Sequence, residues 1–233
     1  WNSTPMRLRA GFSSSATVYG NAASVPIRED EPLEPTNPYG HSKLMVEQIL
    51  RDLQASDPGA WRIAVLRCFN PVGAHPSGLI GEDPPGIPNN LMPNIAQVAV
   101  RAREKIRVFG NNYPTRDGTG VRDYIHVVDL ARGHLAALET LQRERRGMTV
   151  NLGTGQGVSV LEAVHAFERA SGRAVPLEHV ERRTGDVAES YSDPSLAEKT
   201  LGWKAELTLE DMCRDTWRWR NMNSHGYKQD DPK

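Results

Sequence analysis

The chain is expected to fold as an α/β protein around a parallel sheet. Two observations predict this. Compact apolar segments alternate with segments of helical period, the pattern of strand–helix–strand units. One of them, Arg62-Ile63-Ala64-Val65-Leu66, is apolar enough to be buried on both faces, as in a sheet covered by helices on each side.

Taken in order, residues 1–12 show little apolar periodicity and are expected to be irregular, and Phe12–Tyr19 reads as a strand end running into a Ser-rich loop. Val25–Pro38 carries four prolines and several acids and is expected at the surface. Asn37-Pro38-Tyr39 starts a helix whose stripe is Leu44, Val46, Ile49, Leu50 and Leu53, stopped by Asp57-Pro58-Gly59. Trp61–Phe69 is a strand. The segment 71–90 is a long loop dense in Gly and Pro, a length that usually marks function; its prolines 76, 84, 85 and 88 read as structural. Leu91–Arg103 is expected to be helical, Ile106–Phe109 a strand, Gly110–Gly120 a turn-rich loop and Val121–Val127 extended. A helix runs from Asp129 to about Leu141 and a strand over Thr149–Leu152. Ser159 caps a helix ending near Gly172, and a last helix spans about Thr208–Trp219.

The 233 residues suffice for one large or two small domains, and the net charge of −1 argues against nucleic acid or an anionic membrane as a partner. Apolar runs break within a few residues, so none spans a bilayer. Cys68 and Cys213 fit neither a disulfide scaffold nor a metal site, which reads as a reducing, cytoplasmic setting with no metal. Trp1 in place of Met reads as a processed, excised or partial chain, and no secretory signal is recognised. There is no repeat or low-complexity tract.

The first candidate chemistry is Tyr39-Gly40-His41-Ser42-Lys43. Tyr and Lys four apart lie on one helix face, where an ammonium beside a phenol favours the phenolate and makes Tyr39 a base near neutral pH. The same spacing is common on ordinary solvated helices. Ser13-Ser14-Ser15 falls at a strand end, where α/β sites form; a Ser there can bridge a substrate hydroxyl and the phenol, or satisfy its own turn.

Ser-Ser-Ala-Thr at 14–17 followed by Tyr-x-x-x-Lys resembles the extended short-chain dehydrogenase/reductase family. Four longer blocks resemble its UDP-glucose 4-epimerase branch: residues 66–76, 86–93, 118–127 and 182–186, the first reading LRCFNPVGAHP and the third GTGVRDYIHV. The likeness runs from about Phe12 to about Trp219. It implies that Tyr39 is the catalytic base, that Lys43 also holds the nicotinamide ribose, and that Ser15 shares the sugar 4-hydroxyl; Ser13 and Phe69 are further expected near the NAD cofactor. Asn70, Asn90 and Leu91 are expected on a UDP-sugar, Arg107–Val108–Phe109 on uracil through main-chain groups, and Arg122 and Arg183 on the diphosphate. Tyr124 completes that pocket and Asp186 meets a ribose hydroxyl. Asn70 also suits a turn before Pro71, and either Arg a solvated surface; yet guanidinium forks match phosphate oxygens.

The implied activity is interconversion of UDP-glucose and UDP-galactose by transient NAD-dependent oxidation at carbon 4, in a cytoplasmic homodimer. The implied fold is a Rossmann-like sheet lacking its first strands and Gly-rich turn, plus a smaller mixed α/β substrate domain: residues 1–70 for the former and mainly 71–233 for the latter, with about 121–155 crossing back. Nothing before Ser13 resembles the turn that holds the NAD pyrophosphate, and Gly153-Thr154-Gly155 is not read as its replacement. The chain alone is therefore expected to bind NAD poorly, turn over little and expose sheet surface. Cys68 stands where the family usually has Tyr, and His41 where Lys is commoner, facing solvent. Ser190 replaces a frequent Tyr that walls the sugar pocket, which leaves room for an acetamido group and implies use of UDP-GlcNAc, unless Tyr191 fills the gap. The alternatives are a non-catalytic UDP-sugar-binding remnant, or a dehydratase or decarboxylase of the same superfamily. The latter usually carry Asp-Glu where this chain has Ser15-Ala16.

Overall fold

The computed structural model of the chain describes residues 8–84, 86–144 and 146–227. Pro85 and residues 1–7 lie outside the described residues, as does that part of the expectation for residues 1–12.

Strand β1 (Leu8–Ser15) pairs in parallel with β2 (Trp61–Cys68), and β2 with β6 (Met148–Leu152), giving the sheet order β1-β2-β6. The strand thus begins at Leu8, where irregular chain was expected. Among the described residues β1 pairs only with β2, and Leu8, Gly11 and Ser13 are exposed.

Helices cover both faces, as the apolar β2 requires. Side chains along β2 alternate. Ala64 and Leu66 pack with Ala137 and Leu141 of α3 (Val127–Glu144), joined by Leu201 of α5 (Ser195–Leu201). Arg67 turns to the opposite face, toward α1 (Pro38–Ser56). Helix α1 starts where its sequence says it should: Asn37 is the N-cap, its Oδ1 accepts from Gly40 N–H at 2.8 Å, and Pro38 sits at the first position. Its stripe differs from expectation. Ile49 and Met45 are more than 60% exposed, whereas the acid Glu47 is fully buried. Ile27, within the supposed surface loop 25–38, is buried too, because its main chain exchanges hydrogen bonds with Tyr191 and Asp193.

The second layer holds β3 (Asn70–Val72) beside β5 (Val121–His126), which also pairs with the short β7 (Gly157–Ser159) and β9 (Glu189–Ser190). Strands β4 (Ile106–Phe109) and β8 (Leu177–Val180) form a separate parallel pair. Helices α2 (Leu91–Ala99), α4 (Val160–Ser171) and α6 (Leu209–Met222) pack around Ile95, Val164, Phe167 and Met212. Phe167 is wholly buried there, and its truncation to Ala should cost about 3–5 kcal/mol.

Helix α2 stops at Ala99, four residues short of expectation, since Arg101 adopts the left-handed φ of 62°. Helix α3 starts at Val127, which takes helical rather than extended backbone. Strands β3, β7, β8 and β9 are two to four residues long, too short to show a period, and were not foreseen. Helix α5, also unforeseen, has only seven residues. Among the described residues no helix is long and apolar enough to cross a membrane.

Candidate functional site

A cleft of about 380 Å³ opens between β4, β5, the start of α2 and the segment 183–186. The β4 wall follows from strand geometry. Ile106 and Gly110 donate their N–H groups to Pro176 and Val180 of the β8 side. Alternation therefore aims the amide groups of Arg107 and Phe109 at the other edge, which is unpaired among the described residues and lines the cleft. Arg107 keeps its side chain outside, bonded to Glu178 at 3.1 Å, so it can serve a ligand through main chain alone.

Helix α2 adds a positive end. Asn90 is its N-cap, yet its side chain caps nothing; Nδ2 donates to Glu82 instead, at 3.2 Å. Among the described residues no side chain caps the first-turn amides of Leu91 and Met92, which precede Pro93, itself without an amide N–H, and an anion in the cleft is favoured by them and by the helix dipole. Burial pushes the Glu82 carboxyl up, with the Asn90 bond working the other way.

The cleft lining carries four arginines, Arg103, Arg107, Arg122 and Arg183, against Asp186 alone. The Arg183 guanidinium lies 3.7 Å from the centre of the Phe109 ring, close enough for stacking. Arg122 parks one nitrogen on the Val121 carbonyl at 2.8 Å, leaving other donors available. Asn70 stands in register with Tyr124 across β3 and β5. Burial pushes the Tyr124 phenol up to about 12, against the lowering charge of Arg122, so this phenol stays protonated and serves as wall or donor.

Tyr39, Lys43 and Ser15 lie apart from the cleft lining, at the end of β1. Gly40 lets α1 approach there: a Cβ at that position would come within 2.6 Å of the Thr17 carbonyl. Tyr39 is 56% exposed. The Lys43 ammonium is 5.5 Å from the Tyr39 ring centre and 5.1 Å from that of Phe12, and it donates to the Ser13 carbonyl at 3.0 Å. Ser15 caps a 3-10 turn, its Oγ accepting from Thr17 N–H at 3.2 Å and from the Thr17 hydroxyl at 3.0 Å. The Ser13 hydroxyl is 2.7 Å from Nε2 of His134. Phe69 is buried against Val18, Tyr19 and Ile27, so its ring belongs to the core and only its main chain can face a ligand. Cys68, also near Lys43, has its thiol pushed up to about 12 by burial despite that lysine, so it is not a nucleophile near neutral pH. His41 is exposed.

Ser190 is half-buried and in register with Arg122 across β9 and β5, beside the cleft rather than lining it. The Tyr191 ring lies by Gly157, where an added Cβ would be 2.9 Å from it, so it points away from Ser190. The Gly153–Gly155 turn is engaged elsewhere: Asp123 accepts from Thr154 N–H at 2.9 Å, Gly155 N–H at 3.1 Å and both N–H and hydroxyl of Ser192. Those amides are not offered to a phosphate. For a dinucleotide, the residues whose chemistry fits a ribose are the exposed Tyr39 and the half-buried Lys43.

The cleft thus gathers ten of the residues expected on a nucleotide-sugar, all except Ser190. Sequence reasoning missed Arg103, Asn94, Tyr113 and Val160 there. It also missed a buried network beneath α1. Arg67 donates to both oxygens of Glu47, at 3.1 and 2.8 Å, and to the Tyr19 hydroxyl at 2.9 Å. Ser14 donates to Glu47 at 2.6 Å, and Tyr19 to Asn151 Oδ1 at 2.6 Å. Burial opposes ionisation of Glu47, but the Arg67 and Ser14 bonds and the nearby guanidinium outweigh it and hold the carboxyl below its ordinary range. An arginine inside the apolar run of β2, with an acid on the apolar side of the preceding helix, was the available signal.

Comparison with known proteins gives concordant likenesses. The family profile described as GDP-mannose 4,6 dehydratase matches residues 3–216. The UDP-glucose 4-epimerase of Bacillus subtilis is 61% identical over 217 residues, covering 93% of this chain; the chain spans 64% of that relative's length. The crystal structure of UDP-glucose-4-epimerase from Stenotrophomonas maltophila, with bound NAD and formylated UDP-arabinopyranose, is 56% identical with a TM-score of 0.90, covering 93% of this chain and 64% of that one. The UDP-glucose 4-epimerase from Bifidobacterium longum in complex with NAD+ and UDP is 53% identical, also with a TM-score of 0.90, covering 94% and 65%.

Proposed function

Because the chain belongs to the extended short-chain dehydrogenase/reductase family, we propose that the intact protein interconverts UDP-glucose and UDP-galactose at carbon 4. The observation that carries this is one fold holding two halves of such a site: an arginine-lined cleft with a free strand edge, and a Tyr39–Lys43 pair on an open helix face.

In this reading the free edge of β4 pairs with uracil through the amide groups of Arg107 and Phe109, Asp186 binds a ribose hydroxyl, and Val108 closes the core side. Arg122, Arg183, Asn70, Asn90 and the Leu91 amide enclose the diphosphate. Two guanidinium forks and a helix N-terminus suit its charge and its geometry. The hexose is held less firmly than the nucleotide, so it can turn about its link to the diphosphate. Tyr39, with Lys43 beside it, takes the proton from the sugar 4-hydroxyl, and Ser15 relays it, exchanging its Thr17 bonds for the substrate. NAD, when bound, supplies the hydride acceptor at carbon 4 and the return of hydride to the opposite face; Tyr39 and Lys43 would hold its nicotinamide ribose, with Ser13 next to Lys43 and the Phe69 main chain proposed to face the same cofactor. Ala16, where dehydratases carry an acid, leaves no group to expel water from the sugar.

Residues to 70, with α3 and β6, are read as the cofactor side, and most of 71–233 as the substrate side. The apolar, exposed Met45 and Ile49 on α1 suit a homodimer formed through that face, and two free cysteines suit a cytoplasmic protein. The test is to incubate the intact protein with NAD and UDP-galactose and follow UDP-glucose formation with a coupled dehydrogenase. Conversion supports the reading. UDP binding without conversion points to a binding remnant instead.

A further inference from the structure

We propose that Glu47 and Arg67 are positioning residues that set the register of the Tyr39–Lys43 helix against the strand end bearing Ser15. The proposal rests on the catalytic reading above. Neither residue lines the cleft or is exposed to solvent.

Tyr39, Lys43 and Glu47 recur every four residues on α1 and so share one side of the helix. Lys43 donates to the Ser13 carbonyl and Glu47 accepts from the Ser14 hydroxyl, so two successive turns of α1 grip the two residues before Ser15. Arg67 then ties that grip to the rest of the sheet. Its guanidinium reaches Glu47, the Tyr19 hydroxyl and the Glu29 carbonyl at 3.1 Å, while Tyr19 reaches Asn151 on β6. One cation thus gathers β1, β2, β6 and the 25–38 segment around the helix.

Apolar packing alone would not fix this register. Neighbouring settings of a helix differ by about 1.5 Å of rise and about 100° of rotation, and the apolar side chains α1 turns inward, Leu44, Val46, Leu50 and Leu53, are only partly buried, Glu47 being its one fully buried side chain. A slip would leave Glu47 and Arg67 buried and unpaired, which is strongly disfavoured. The pair therefore penalises every setting except the one in which Lys43 meets the Ser13 carbonyl and Glu47 the Ser14 hydroxyl, next to Ser15.

The test uses three variants of the intact protein. Glu47→Leu with Arg67→Met removes both charges together and keeps apolar volume, so the fold should survive with an unchanged or higher thermal midpoint. Ser14→Ala removes one tie and keeps the ion pair. Arg67→Lys keeps charge and loses the fork. The double variant should lower kcat on the order of 10²-fold, as misplacement by about 1 Å does, with UDP affinity unchanged, and the other two should fall between it and the parent. Its crystal structure should show α1 displaced along β1. An α1 that overlays on the parent, or an unchanged kcat, would overturn the proposal, as would a kcat loss that only follows lost UDP binding and a lower midpoint. Absence of epimerisation by the unsubstituted protein would instead refute the catalytic reading, and the helix displacement would still decide the positioning claim.

Discussion

Ser190 stands opposite Arg122 in the parallel pair of β9 and β5, so both side chains lie on one face of that sheet. Tyr191 points the other way, its ring by Gly157. The face of β5 that carries Arg122 is therefore met by a small hydroxyl, and the neighbouring aromatic does not cover it. Ser190→Tyr should lower kcat/KM for UDP-GlcNAc on the order of 10-fold or more and leave that for UDP-glucose nearly unchanged. Equal losses for the two sugars would remove Ser190 from the specificity argument.

Tyr39 and Lys43 are not among the residues that line the cleft. Tyr39→Phe should thus reduce epimerisation about 10²–10⁴-fold through loss of the base, with calorimetric UDP affinity unaffected. Lys43→Met should act similarly, because it removes the ammonium 5.5 Å from the Tyr39 ring. A variant that lost UDP binding and turnover in parallel would show that α1 shapes the nucleotide site, contrary to this geometry.

Arg183 is fixed by the Phe109 face, so its fork arrives oriented. Arg183→Ala should weaken UDP by about 1.5–3 kcal/mol, the range for charge-assisted hydrogen bonds. Arg183→Lys keeps the charge but neither the plane nor the fork, and should fall between. Titration with UDP and with uridine separates the effects: uridine binding should hardly change. Equal weakening of both ligands would place Arg183 on the base or ribose instead.

What the sequence made legible followed local chemistry. Asn37-Pro38 announced α1, and Ser159 announced α4, because capping is written in neighbouring residues. Strand β2 was readable because burial on both faces leaves an unbroken apolar run. Strands β7, β8 and β9 were not, since their pairing partners are distant and their lengths too short for a period. The cleft was legible through family likeness more than through pattern: nothing in Arg122 or Arg183 alone says that β5 and a turn 61 residues later meet. Glu47 shows the limit most clearly. The stripe read for α1 passed over it, and only the contact with Arg67, 20 residues on, explains an acid with no exposed surface.

Asp211 ties the second layer to pH. It sits in the first turn of α6, where Oδ2 accepts from Thr208 N–H at 2.9 Å and from the Thr208 hydroxyl at 2.7 Å, and Oδ1 pairs with Arg214 at 2.6 Å. The Thr208 bonds first, and Arg214 after them, bring its carboxyl down from an ordinary 3.8 to about 2. A depressed folded value means that the unfolded chain takes up the proton first. Stability from Asp211 is then complete above about pH 4 and is lost as pH falls toward about 2. Because α6 packs on α2 and α4 through Met212 and Cys213, this loss reaches the core under the cleft. Asp211→Asn should cost on the order of 1 kcal/mol at neutral pH, the usual worth of a capping contact. Urea unfolding followed by tryptophan fluorescence, Trp217 and Trp219 being on the same helix, checks the sign. The gap between parent and variant should narrow below pH 4 and close near pH 2. A gap that stayed constant across that range would mean that the carboxylate charge does not hold the α6 N-terminus.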